Sequence, residues 1–177
     1  GLTINADETL LASCYALGVD EWYDRPPAER FSGIHAARLE NGVYTVDIET
    51  GAVEVIHEEN EWLAHVQFSP TDPGQLTFCH EGPWTLVTRI WLVRADGSGL
   101  RALRERTLEG EQWGHEFWGP DGRMVWYDLQ RPAWVDYYIA GNDIETGEET
   151  RYAIDPAVWS FHYNISRDGT MFCGDGG

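Results

Sequence analysis

Three histidines recur at a nearly constant spacing, and their side chains are the most chemically versatile groups of the chain. His65, His115 and His162 stand 50 and 47 residues apart, and each follows a tryptophan within three residues. A neutral imidazole binds divalent metals, and it also takes up a proton near neutral pH. The repeated histidines therefore predict a metal centre or an acid–base site, provided that the fold brings them together.

The segment around each histidine repeats as a structural unit. After each histidine come a turn signal, such as Pro120-Asp121-Gly122, and a second short apolar run. A period near 50 residues with short strands is typical of β-propeller blades. We therefore predict an all-β protein of four-stranded antiparallel blades, with about three and a half blades in this chain. The expected units cover residues 1–58, 59–107, 108–154 and 155–177.

Turns and connectors support this reading. Residues 47–51 and 143–147 have the same five residue types, Asp-Ile-Glu-Thr-Gly, and the glycine suits the left-handed backbone of a tight hairpin. Sustained helical periodicity is missing, apart from a weak charged stretch at 100–108. The long connector 20–37 is expected to cap the face of the propeller where binding takes place.

The predicted fold directs the candidate residues to one end of the channel. The first strands of the blades line the channel, so the three histidines should lie at the same height and face one another. The second strand runs back to the same face, which should place His80 near His65. Arg38 and Arg89 stand just before third strands and should point there too. We therefore expect four imidazoles and two guanidiniums at one mouth.

Charge restricts the classes of partner. Thirty acidic residues against twelve basic ones, all arginines, give a net charge of −18. Such a field repels nucleic acids and anionic membranes, so neither is an expected partner. It also repels an anionic substrate at long range. The site for such a substrate must therefore be locally cationic through Arg, His or a metal.

The cysteine count and the first residues of the chain lead to expectations about the cellular compartment and about the length of the whole gene product. Three cysteines are an odd number, which argues against a disulfide framework and makes the reducing cytoplasm the simplest compartment. The chain shows neither a long apolar run nor an N-terminal signal segment. Its first residues resemble the middle of a repeat, so we expect a piece of a longer gene product. The missing half-ring should come from that product or from a second copy in a homo-oligomer.

Other interpretations compete with a catalytic one. The histidines could be kept for packing against tryptophan, which would make the protein a non-enzymatic binding or scaffold propeller. Glu81 and Glu116 each follow a histidine, and a carboxylate pair would suit glycoside hydrolysis. Strand neighbours point to opposite faces, however, so these glutamates are expected to make bonds behind the site or between blades. The pair lacks the second histidine of a helical zinc-protease motif.

Four short motifs rich in His, Gly and aromatic residues follow one another through the chain. They are Phe78-Cys79-His80-Glu81-Gly82-Pro83-Trp84, Arg89-Ile90-Trp91, Gly114-His115-Glu116-Phe117-Trp118, and His162-Tyr163-Asn164-Ile165-Ser166 with the closing Gly174-Asp175-Gly176. In this order, and with the chain from about Gly33 onward, they resemble the C-terminal half of the oligogalacturonate lyase family.

The resemblance implies a fold, a reaction and a cofactor. It implies a seven-bladed propeller and a cytoplasmic enzyme of pectin breakdown that cleaves short galacturonate oligomers by β-elimination. The implied cofactor is Mn²⁺ or another divalent metal. His115 matches a metal ligand of the family, and His162 lies in the stretch that supplies the others. Residues 157–160, Ala-Val-Trp-Ser, depart from the family there, where further Gln and His ligands are expected.

β-Elimination assigns roles to the remaining candidates. The reaction removes the C5 proton, which is acidic enough only when the neighbouring carboxylate is neutralised, as a divalent metal can do. We predict that His65 is the base, with His80 as the alternative. Arg38 should neutralise or clamp a carboxylate, and Arg89 should bind a neighbouring sugar or form a structural ion pair. A related propeller enzyme with another sugar-acid substrate stays open.

Overall fold

Within each sheet of the structure, every strand pairs antiparallel with the next strand along the chain. The computed structural model describes residues 1–176, so Gly177, the last residue of the fourth predicted unit, lies outside the described residues. Three four-stranded sheets and one two-stranded sheet are present in the described part. We call them blades 1 to 4 in chain order, and they confirm the prediction of an all-β protein.

Blade 1 carries a helical insertion that periodicity does not predict. Its strands are β1 (Thr3–Ile4), β2 (Leu10–Ala16), β3 (Asn41–Asp47) and β4 (Val53–Glu59), and helices α1 (Asp20–Tyr23) and α2 (Pro27–Ala37) lie between β2 and β3. Pro27 suits the first turn of a helix. Ile34 of α2 is buried, and the more exposed ring of Phe31 lies 5.3 Å from that of Trp62, which precedes β5. Neither helix, nor any other helical segment within residues 1–176, is long and apolar enough to cross a bilayer.

The other blades repeat the four-strand pattern. Blade 2 consists of β5 (Leu63–Phe68), β6 (Gln75–His80), β7 (Ile90–Arg94) and β8 (Arg101–Ala102). Blade 3 consists of β9 (Gln112–Trp118), β10 (Met124–Gln130), β11 (Tyr137–Asp143) and β12 (Glu149–Ile154). Blade 4 begins after a 3₁₀ turn (Pro156–Val158) and contains β13 (Tyr163–Ile165) and β14 (Phe172–Gly174).

The core lies between neighbouring blades. One buried apolar cluster joins Ala12 of blade 1 to Leu76 of blade 2, and a second joins Ile90 of blade 2 to Trp113 and Val125 of blade 3. Burying a large apolar side chain contributes about 1.5–3 kcal/mol, so each cluster is a substantial source of stability. Because each cluster takes residues from two blades, it also fixes those blades relative to each other.

The two Asp-Ile-Glu-Thr-Gly turns have the same conformation. Gly51 and Gly147 have φ values of 72° and 74°. The carboxylates of Asp47 and Asp143 accept a hydrogen bond from the backbone N–H three residues on, at 2.7 and 2.9 Å. The predicted left-handed glycines of these hairpins are therefore confirmed.

β5 and β9 share an irregularity at the histidine. Strand pairing shifts within residues 64–67 of β5 and within residues 114–117 of β9, which marks a β-bulge in each strand. His65 and His115 occupy these bulges with φ values of 52° and 49°. The left-handed conformation costs a non-glycine residue roughly 1–2 kcal/mol. In each of these two blades, a strained backbone conformation turns the histidine side chain away from the regular strand.

Candidate metal and acid–base site

A buried aspartate on the neighbouring strand holds His115. Gly114 of β9 pairs with Asp128 of β10, and the Asp128 Oδ1 atom lies 2.9 Å from Nδ1 of His115. Burial raises the pKa of Asp128, and the hydrogen bond with His115 offsets only part of that rise. A proton on Nδ1 of His115 is donated to this carboxylate, which leaves the lone pair of Nε2 available.

His162 lies directly beside His115 and is held in the same way. The two ring centroids are 4.5 Å apart, and Nδ1 of His162 lies 2.6 Å from Oδ2 of Asp175. Neither imidazole makes a hydrogen bond through Nε2 within the part of the chain that the structure describes. Metal-binding histidines commonly have one ring nitrogen held by a carboxylate and the other on the metal. His115 and His162 therefore fit as two neighbouring imidazole ligands of a divalent metal.

Arg89 links blades 2 and 3 beneath this pair. Its side chain is 1% exposed, Nη1 lies 2.7 Å from Glu81 Oε1, and Nε lies 3.2 Å from Glu116 Oε2. Burial opposes the charged form of Arg89, but the two glutamates outweigh burial and raise the pKa of Arg89. The predicted contact of Arg89 with a sugar is not available in this arrangement. The alternative, a structural ion pair, is what the structure contains, and it confirms that Glu81 and Glu116 make bonds behind the site and between blades.

His65 lies at the edge of the same network. Its Nε2 atom is 3.4 Å from Oε2 of Glu81, and its side chain is 45% exposed. Burial raises the pKa of Glu81, but His65 and Arg89 outweigh burial and hold that pKa at about 2. His65 is thus an accessible imidazole beside a carboxylate that stays ionised.

A second group of potential metal ligands includes His65. Its ligand atoms and those of Cys79 and Glu81 lie within 4.8 Å of one another. Burial raises the pKa of the Cys79 thiol well above its ordinary value, and Glu81 already binds Arg89. A cation here would compete with a guanidinium and would need a thiolate that burial disfavours. The group is therefore less suited to a metal than His115 and His162.

Aromatic rings cover the site. The indole N–H of Trp84 donates to Glu81 at 3.1 Å, and the Trp84 ring lies 5.1 Å from His115 and 5.5 Å from the Arg89 guanidinium. Phe161 contacts both Trp84 and His115, at 6.1 and 5.8 Å between centroids. Trp84 thus connects the environment of His65, through Glu81, to that of His115.

The structure does not bring His80 to the predicted mouth. Strand alternation directs Cys79 and Glu81 toward His65 but directs His80 the other way, where its Nε2 lies 2.6 Å from Oε1 of Glu59. The His80 ring is buried and stacks on Trp91 at 4.9 Å. The expected proximity of the His80 side chain to His65 is therefore wrong, and the choice of His65 or His80 as the base stays a prediction.

Arg38 lies at the C-terminal end of α2 and stays half-exposed. It has a left-handed backbone conformation with φ of 49°, and its guanidinium pairs with Glu61, two residues before β5 begins. Its backbone carbonyl accepts a hydrogen bond from Asn60. Arg38 is thus near the strand that carries His65, and its role as a carboxylate clamp stays a prediction.

Sequence reasoning misses three residues of the site. Asp128 has a usable signal, because an acid inside the apolar strand β10 needs a buried partner. Asp175 and Trp84 stand in the motifs of the family resemblance, but their sequence context predicts no partner for either. Glycines flank Asp175, and Trp84 is one of nine tryptophans. Their contacts with His162 and His115 depend on loops whose paths the pattern does not specify.

A sequence model of a known family decides the family of the chain. The model described as oligogalacturonate lyase matches residues 5–177. The chain belongs to the oligogalacturonate lyase family. The resemblance read from the four motifs is confirmed.

Known members of the family are longer than this chain. An oligogalacturonide lyase of Pectobacterium atrosepticum is 39% identical over 132 residues, which cover 74% of this chain and 33% of that protein. A solved structure of an oligogalacturonate lyase in complex with manganese has a TM-score of 0.87 and 31% identity. That match covers 99% of this chain and 46% of the solved one. The chain therefore spans less than half the length of these relatives.

The propeller fold has support beyond the family. The β-propeller domain of the trilobed protease from Pyrococcus furiosus matches with a TM-score of 0.57 and 15% identity, over 92% of this chain and 46% of that one. At this identity the match concerns the fold alone. It confirms the prediction that the sheets are propeller blades.

Proposed function

We propose that the protein to which this chain belongs is a divalent-metal-dependent lyase that cleaves short galacturonate oligomers by β-elimination. One observation carries the proposal. The ring centroids of His115 and His162 lie 4.5 Å apart. A carboxylate holds Nδ1 of each ring, which leaves each Nε2 available to a metal. Family membership and the manganese complex of a relative support the same assignment.

The charge around the pair also favours a cation. Four carboxylates surround the two imidazoles and Arg89; they belong to Glu81, Glu116, Asp128 and Asp175. An anionic sugar would be repelled by this set unless a cation were bound among them. A divalent metal held by His115 and His162 would supply that charge and act as a Lewis acid on the uronate carboxylate.

We propose that His65 takes the proton. Its Nε2 faces Glu81 at 3.4 Å, which leaves Nδ1 to accept a proton from C5 of the uronate. The C–H electron pair then forms the double bond between C4 and C5, and the bond from C4 to the glycosidic oxygen breaks. The leaving oxygen keeps the bonding pair and takes up a proton from water. Glu81 stabilises the imidazolium that results, because it stays ionised at neutral pH.

The two arginines have different proposed roles. Arg89 is buried between two carboxylates, so it positions Glu81 and Glu116 and does not touch the sugar. Arg38 is half-exposed and can exchange Glu61 for a uronate carboxylate. A guanidinium binds a carboxylate through two parallel hydrogen bonds, which would orient the substrate.

The test measures metal binding and product formation in the full-length protein. We expect one tightly bound Mn²⁺ per chain by titration calorimetry, and unsaturated product from digalacturonate by its ultraviolet absorbance. His115→Gln and His162→Gln should each weaken Mn²⁺ binding. His65→Gln should abolish product formation while Mn²⁺ binding is retained, because only the proton acceptor is lost.

His57→Gln is the matched control. His57 lies on β4 next to Glu59, away from the His115 pair, so its replacement should change neither Mn²⁺ binding nor turnover. A full-length protein that binds no divalent metal, or binds it without forming unsaturated product, would overturn the proposed function. The first of these results would favour the scaffold interpretation.

A further inference from the structure

Three aromatic rings lead from His115 toward the surface, and we call them the aromatic track. Phe161 lies 5.8 Å from His115, Trp159 lies 4.2 Å from Phe161, and Trp134 lies 6.2 Å from Trp159, all between ring centroids. Trp159 is buried, and Trp134 is 64% exposed. The track is therefore continuous with the proposed active site and ends on an exposed indole.

Trp134 keeps a bulky side chain where the backbone favours glycine. Its φ is 66°, in the left-handed region that large side chains rarely adopt. Glycine would take this conformation without the steric cost. Strain of this kind tends to persist where a side chain serves a function. An exposed indole in such a conformation adds little to the core, so we look for a role of the ring in binding a ligand from solvent.

The backbone at Trp134 is fixed from below. Its N–H donates to Oε1 of Gln130 at 2.7 Å, and Gln130 is fully buried at the end of β10. Within residues 1–176, the Nε2 group of Gln130 and the indole N–H of Trp159 are buried and have no hydrogen-bond partner. Buried donors are normally paired, so these two are left over beside the track.

We infer that Trp134 is the stacking platform of a distal sugar subsite, which determines how well the longer oligomers bind. A pyranose ring presents apolar C–H groups on its face, which suits the exposed face of the Trp134 indole. The inference rests on the proposed function, because it takes the occupant from the substrate cleaved at His65 and His115. A sugar beyond the reacting pair would lie along the aromatic track.

Kinetics with two chain lengths test the platform in the full-length protein. Trp134→Gly removes the ring and relieves the left-handed strain, so its thermal unfolding midpoint should equal or exceed that of the parent. We expect its KM for tetragalacturonate to rise about fivefold, because the loss of one ring contact costs roughly 1 kcal/mol of binding free energy. Its KM for digalacturonate should stay unchanged, because the dimer does not reach Trp134.

Two further variants separate stacking from other effects. Trp134→Phe keeps an aromatic face and should stay within about twofold of the parent for both substrates. Tyr152→Ala removes a ring of similar exposure on β12, which packs against Trp126 and lies off the track, and should leave both KM values unchanged. Equal KM values for tetragalacturonate in the parent and in Trp134→Gly overturn the platform, and so does an equal rise for both substrates.

A binding measurement distinguishes failure of the platform from failure of the proposed function. Tetragalacturonate is titrated into His65→Gln protein with Mn²⁺, where turnover is blocked, with and without Trp134→Gly. Weaker binding in the double variant supports the platform even if the parent forms no unsaturated product. Equal binding in the two proteins overturns the platform and leaves an active parent as support for the lyase.

Discussion

Blades 2 and 3 place a histidine at the same structural position but surround it differently. His65 and His115 occupy equivalent bulges with nearly the same φ. The residue paired with the bulge is Cys79 in blade 2 and Asp128 in blade 3. A carboxylate at this position fixes the His115 ring, whereas the thiol offers His65 no comparable acceptor.

The difference shows how one residue can separate two roles on a repeated scaffold. The His115 side chain is 15% exposed, hydrogen-bonded and next to a second imidazole, which suits a metal ligand. The His65 side chain is 45% exposed and contacts a carboxylate only loosely, which suits an imidazole that must take up and release a proton. The two blades thus share the bulge, whereas the residue on the opposite strand differs.

The largest expected effect follows from removing the cation that joins the two blades. Arg89→Met should lower the free energy of unfolding by about 3–5 kcal/mol, because it leaves Glu81 and Glu116 buried without their partner. Urea denaturation followed by circular dichroism measures this loss. Arg94→Met, which removes an exposed pair with Asp72, should cost less than about 1 kcal/mol. Similar losses in the two variants would show that Arg89 does not hold the blades together.

Asp128→Asn tests the carboxylate that distinguishes blade 3. The amide keeps the shape of the side chain but loses the negative acceptor for Nδ1 of His115. We expect Mn²⁺ affinity, measured by calorimetry, to fall about 10- to 100-fold. Glu54→Gln removes one charge from exposed β4 and serves as the control. Unchanged affinity in Asp128→Asn would mean that His115 does not need its aspartate to bind metal.

The sequence predicts the repeated blades, but only some of the contacts between the residues of the site. The 50-residue period and the repeated turns predict the blades and the equivalence of His65 and His115, because strand alternation and glycine turns are local properties. His162 departs from that equivalence, since it lies just before β13 and not in a bulge. Helix α2 and the direction of His80 depend on contacts with distant residues, Trp62 and Glu59. The contact of Asp128 with His115 is only partly predictable, since the strand register places the two residues together only once the bulge is known.

Glu81 gives blade 2 a distinct response to acid. Its pKa is about 2 in the folded protein, against an ordinary value of 4.5. A lowered pKa stabilises the folded state above the ordinary value, and this contribution is lost progressively as the pH falls from about 4.5 toward 2. The unfolding midpoint of the parent should therefore drop between pH 5 and pH 3, in part because Glu81 takes up a proton in the unfolded chain while it stays ionised in the folded protein.

Glu81→Gln isolates this contribution. The variant should have a lower unfolding midpoint than the parent at pH 7 and a shallower decline on acidification, as differential scanning calorimetry at several pH values would show. Glu145→Gln, on an exposed turn, is the control and should keep the slope of the parent. Parallel curves for Glu81→Gln and the parent would show that Glu81 does not titrate differently on folding.

The smallest effect is expected at Cys79, and it tests the comparison most directly. Burial keeps the Cys79 thiol protonated, so the side chain acts as a small apolar group, and Cys79→Ala should cost only about 1 kcal/mol of stability. Mn²⁺ affinity should stay unchanged, although Asp128 at the equivalent position has a large effect. If Cys79→Ala weakened Mn²⁺ binding as Asp128→Asn does, the metal would belong with His65, Cys79 and Glu81. The roles of the two blades would then be reversed, with His115 left to take the proton.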